Sequence, residues 1–88
     1  ANELPIEQLL IVAFEDKEWG QRLAVLIRWG KQLSSEECLT FIGKLQAFAN
    51  NWIPAERPAS WHTCEDLEPN KLGKWERTKW KKWLTESQ

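Results

Sequence analysis

The residues with the best claim to chemistry lie in Pro69-Asn70-Lys71-Leu72-Gly73-Lys74-Trp75-Glu76-Arg77. Here a lysine follows a glycine in a turn expected between a strand and a helix. Glycine lets the backbone turn tightly and puts no side chain beside Lys74, so a phosphate or carboxylate could come close to its ammonium. Alone, a Gly-Lys pair is more often a solvated turn. It is also not a phosphate-cradling loop, because the second glycine and the Ser/Thr of that motif are missing.

Two other groupings are weaker. His62 and Cys64 lie two apart, on one face of any strand, and Cys38 could join them at a metal. With no second His and no paired cysteines, no metal site is expected. Trp75, Trp80 and Trp83 interleave with lysines as they would on a single-strand binder. A Trp/Lys-rich module for single-stranded nucleic acid or an acidic protein partner is therefore the alternative reading. The i, i+3, i+4 spacing of Trp80, Trp83 and Leu84 favours an inward-facing stripe with lysines in solvent.

The elements that would position these residues can be read from pattern. Ile6 to Phe14 and Gln21 to Trp29 are rich in β-branched and large apolar residues and read as strands. Both are too apolar for a sheet wet on one face, so cover on both sides is expected. Between them Glu15 to Gly20 is a polar connection of hairpin size. Ser34 with Glu37 three residues on is a capping-box signature, and Cys38, Phe41, Ile42, Leu45, Phe48 and Ala49 follow at helical spacing. That helix should stop near Asn50-Asn51, ahead of Pro54 and Pro58. Ser60 to Cys64 reads as a third strand, Glu68 to Gly73 as a turn, and the last segment as a short helix. The expected fold is an α+β two-layer domain, a mixed or antiparallel three-stranded sheet packed with two to three helices. Trp29, Phe41, Leu45 and Trp83 are expected to be substantially buried.

Composition sets the limits. The 88 residues fit one domain. Seven Trp and three Phe give it core material, each buried aromatic contributing at most about 4 to 6 kcal/mol of transfer free energy. A formal net charge of -1 argues against a dedicated nucleic-acid or membrane-surface protein. The charge is uneven, with six basic residues against Glu76 between Lys71 and Lys82. Two isolated cysteines and no visible targeting signal point to a cytoplasmic setting. The absence of Met is what a segment of a longer protein would show.

Taken in order, these pieces resemble the C-terminal subdomain of the acyl-CoA synthetase, adenylation-domain and luciferase superfamily over nearly the whole chain. Leu10 to Asp16, then Glu18-Trp19-Gly20-Gln21 and Ala24 to Ile27, are similar to the family's strand, Asp-containing turn, Gly and second strand. Pro54 and Pro58 before Trp61 look like its loop into the third strand. Leu67, Pro69 and Gly73-Lys74 with Arg77 look like its closing Gly-Lys-x-x-Arg pattern. Asp16, Trp19 and Gly20 are the turn motif. Glu18 to Gln21 looks most like the o-succinylbenzoate:CoA ligases of menaquinone and phylloquinone biosynthesis. Trp75 departs from the small β-branched residue the family prefers there, and Glu15 from a frequent Pro. The hinge and Gly-rich hairpin that open this subdomain are missing, as if the chain began just downstream of them.

The resemblance implies a lid domain whose Lys74 assists adenylation, with Gly73 and Arg77 supporting its loop. It implies ATP, a carboxylic acid and CoA as substrates and Mg²⁺ as cofactor. All are bound mainly by an N-terminal adenylation domain of the same polypeptide, so this domain alone should bind none of them and should not turn over.

Overall fold

The computed structural model describes residues 5–18 and 20–86, and for Ala55 its backbone only. The described residues form a mixed α+β structure, a three-stranded sheet with two α-helices. Strand β1 (Ile6–Asp16) and strand β2 (Gly20–Trp29) make an antiparallel hairpin, helix α1 (Ser35–Ala49) follows, a 3-10 turn spans Pro54–Glu56, and strand β3 (Ser60–Thr63) leads to helix α2 (Arg77–Glu86). The sheet order is β1-β2-β3, with β3 parallel to β2, Ala24 opposite Ser60 through Ile27 opposite Thr63. The sheet is thus mixed, and β2 is its centre. This is why Ala24, Val25, Leu26 and Ile27 are all buried: a central strand covered on both faces needs a continuous apolar run.

Alternation along the strands separates two faces. Leu10, Val12, Ala24, Leu26 and Cys64 share one face and join Leu67 with Trp80 and Leu84 of α2, with Phe14, Trp75 and Trp83 packed around them. The other face carries Val25, Ile27 and Trp29, and there α1 lies over the sheet, with the rings of Trp29 and Phe41 5.8 Å apart. Trp29, Phe41, Leu45 and Trp83 are each half-buried, less covered than their spacing suggests, whereas Trp80 is 2% exposed.

The local codes hold where they were read. The Ser34 Oγ accepts from the Glu37 amide at 3.1 Å and the Glu37 carboxylate accepts from the Ser34 amide at 3.1 Å, a complete capping box. At the far end of α1 the Arg57 guanidinium donates to the carbonyl of the C-cap residue Asn50 (2.9 Å) and to that of Trp52 just beyond it (3.1 Å), satisfying acceptors at and after the helix end. No helix among the described residues is long and apolar enough to cross a membrane.

Candidate functional site

Cys64 closes the sheet side of the segment that delivers Lys74, its amide donating to the Ile27 carbonyl at 2.7 Å beyond the last β3 pair. Leu67 is buried in the core. Its carbonyl accepts from Arg28 at 3.1 Å. Arg28, which no sequence motif picks out, also pairs with Glu7 and lies 3.9 Å from Glu68. The chain is therefore anchored up to residue 68 and turns outward from there.

The turn itself is closed by Asn70. Its side-chain Oδ1 accepts the amides of Leu72 (2.9 Å) and Lys74 (3.0 Å). Its own amide donates to the Lys74 carbonyl (2.8 Å), and its carbonyl accepts from the Gly73 amide (2.9 Å). Gly73 has φ +80°, the left-handed region an L side chain rarely adopts, and space for a Cβ is open there. The glycine is thus required by backbone conformation and not by crowding. Lys71, Leu72, Gly73 and Lys74 are all exposed, and among the described residues the Lys74 ammonium makes no ion pair.

After Lys74 the chain is anchored again. Trp75 packs against the core cluster and serves as a hydrophobic foot for the turn. Arg77 opens α2 and donates from Nη1 to the Ile11 carbonyl of β1 at 2.6 Å. An edge strand leaves such carbonyls without a neighbouring strand, and Arg77 satisfies one of them. The arrangement is a turn between two anchors, presenting the ammonium groups of Lys71 and Lys74 to solvent.

Asp16 and Gly20 stand elsewhere. They close the β1–β2 hairpin as a register pair, with Gly20 at φ +76°. An Asp16 carboxylate oxygen accepts from the Glu18 amide at 2.8 Å, and Arg22 lies 3.7 Å from Asp16. Trp19 lies outside the described residues. The hairpin turn shares a shallow groove with Lys81, Leu84 and Thr85, so it meets the C-terminal half of α2 while Lys74 precedes its N-terminus. At 1.5 Å of helix rise per residue, the two turns stand on the order of 15 Å apart. The two turns form separate features, and the residues at hand for Lys74 are Asn70, Gly73, Trp75 and Arg77.

The remaining candidates fall into the scaffold. His62 Nε2 and Ser60 Oγ are 2.9 Å apart, and the imidazole meets Trp83 edge-on with centroids 6.5 Å apart. Burial lowers its pKa, and burial raises that of the Cys64 thiol. Cys38 lines a groove beside Trp29 and Thr63, on the face opposite Cys64. Among the described residues no group of three or more His, Cys, Asp or Glu gathers as a metal site would need. A stacking platform requires exposed ring faces. Trp80 is buried, and Trp75 and Trp83 pack on the core, leaving the lysines of α2 as a solvated rim.

Sequence reasoning passed over Asn70. Its signal was present: an Asn just after Pro and three residues before Gly is a side chain apt to cap its own turn. No protein-family model matches the chain, and no curated protein matches it.

Proposed function

We propose that the chain is the C-terminal lid domain of an ATP-dependent acid:CoA ligase, with Lys74 supplying the ammonium that assists adenylation. The observation that carries the reading is the turn from Asn70 to Arg77, an exposed lysine with no ion pair among the described residues, on a backbone held by Asn70 and Gly73 and anchored by Trp75 and Arg77. A lysine that reaches into another domain's site must be free of its own domain's core, and this one is.

In the reaction proposed, a carboxylate oxygen of the acid bonds to the α-phosphorus of ATP, the bond to the β-phosphate oxygen breaks, and pyrophosphate leaves. Two anions must meet, and an ammonium between them stabilises the crowded charge of the transition state more than the separated reactants. The CoA thiolate then attacks the acyl carbonyl and AMP departs. The turn offers the exposed ammonium groups of Lys71 and Lys74 and amides already engaged by Asn70, and among the described residues no carboxylate cluster suited to Mg²⁺ gathers. On the resemblance, ATP, Mg²⁺ and the acid are bound mainly by an N-terminal domain of the same polypeptide. Rotation of the lid between the two steps would withdraw Lys74 before thiolysis. Within this class the acid proposed is o-succinylbenzoate, on the likeness of Glu18-Trp19-Gly20-Gln21, and the setting is cytoplasmic.

The test is acid-dependent exchange of labelled pyrophosphate into ATP by the full-length protein. Exchange driven by o-succinylbenzoate above a panel of other carboxylic acids is expected. Exchange driven by a different acid would correct the substrate, and no exchange with any acid would sink the ligase reading.

A further inference from the structure

We infer that Asn70 is a positioning residue for Lys74, an inference that rests on the ligase reading. Four hydrogen bonds within five residues pass through this one side chain and its backbone: Oδ1 takes the Leu72 and Lys74 amides, the Asn70 amide reaches the Lys74 carbonyl, and the Asn70 carbonyl takes the Gly73 amide. Of these, the two Oδ1 bonds are the ones a substitution can remove. They fix the turn at both its tip and its exit. The exit residue is Lys74 itself.

Lysine makes such support necessary. Its ammonium sits at the end of a flexible four-carbon stem, so its reach is set first by where the backbone holds its Cα. Lys71 to Lys74 are exposed and draw no shape from the core. A displacement of about 1 Å at a reacting centre can cost on the order of a hundredfold in rate. The same exposure means that losing the Oδ1 acceptor leaves two amides that water can satisfy. Folding stability should therefore hardly change while the turn gains conformations. That separation of a catalytic effect from a stability effect distinguishes positioning from ordinary structural support.

Replacement of Asn70 by Asp retains an acceptor of the same reach for both amides, whereas Ala removes it. In the full-length enzyme, Asn70→Ala should lower kcat/KM for acyl-adenylate formation about tenfold. Thiolysis of a preformed acyl-adenylate should stay within about twofold, and the melting temperature within about 2 °C. Asn70→Asp should recover adenylation to within about threefold of the unaltered enzyme. The double variant Asn70→Ala/Lys74→Ala should be no slower than Lys74→Ala, because a positioning residue has nothing to position once the lysine is gone. Independently of activity, amide hydrogen exchange at Leu72 and Lys74 should speed up in Asn70→Ala and not in Asn70→Asp. Loss of adenylation in Lys74→Ala with none in Asn70→Ala overturns the positioning role and leaves the ligase reading intact. Equal losses in both half-reactions, or no recovery with Asp, also overturn it. Full adenylation in Lys74→Ala overturns the ligase reading, and the role of Asn70 with it.

Discussion

Under α2 the sheet buries Leu10, Val12, Ala24, Leu26 and Cys64 against Leu67, Trp80 and Leu84. Under α1 it buries Val25 and Ile27, and α1 itself contributes only Ala49 to the buried set while Leu39 and Phe48 stand 70% and 64% exposed. The helix with the clearer local code therefore has the poorer packing. Helix α1 has a complete capping box and acids in its first turn, which favour it as an isolated segment. Helix α2 begins with Arg77 and places Lys79 in the next positions, charges that oppose its own dipole, and is held by a buried Trp and Leu. Local signals and tertiary packing thus stabilise different helices, and the turn carrying Lys74 runs directly into the one that depends on packing.

The sharpest test of this contrast is Trp80→Ala, which should cost about 3 to 5 kcal/mol in a denaturant titration. An equal cost for Phe41→Ala would erase the difference between the faces. Trp80 also carries a buried indole N–H without a partner among the described residues, so Trp80→Phe should cost much less than Trp80→Ala, having no donor to leave unsatisfied.

A smaller effect is expected at the turn that leads into α2. Gly73→Ala meets open space but must adopt φ +80°, a backbone cost of about 1 to 2 kcal/mol. No measurable cost would mean the turn is not held in the shape described. The smallest effect belongs to the open face: Phe48→Ser should change stability by no more than about 0.5 kcal/mol. A larger loss would mean that α1 is better packed than its exposure indicates.

Much of this was legible in the sequence. The β-branched runs marked β1 and β2, Ser34 with Glu37 marked the start of α1, and Trp80, Trp83 and Leu84 marked the inward face of α2. What periodicity could not supply was the amount of sheet beneath each helix. It assigns Phe41, Leu45 and Phe48 to a common side of α1, but β2 alone offers that side deep cover, so the first two are half-buried and the third is exposed. At the site, Gly73 marked a tight turn before the lysine, and its left-handed φ of +80° came only with the structure. The link from Arg77 to the Ile11 carbonyl joins residues 66 apart and exists only once the sheet is built. Asn70 was hidden for the opposite reason, since a turn Asn has several nearby amides to choose from and its sequence neighbours do not say which it takes.

The central claim is that Lys74 acts on the adenylation step and on nothing else. The direct measurement is to follow the two half-reactions separately in the full-length Lys74→Ala enzyme, with folding checked by its melting temperature. Adenylation should fall by at least about a hundredfold, thiolysis of a preformed acyl-adenylate should be nearly unchanged, and stability should move by no more than about 0.5 kcal/mol. Equal losses in both half-reactions, or an unaffected adenylation, would contradict the account.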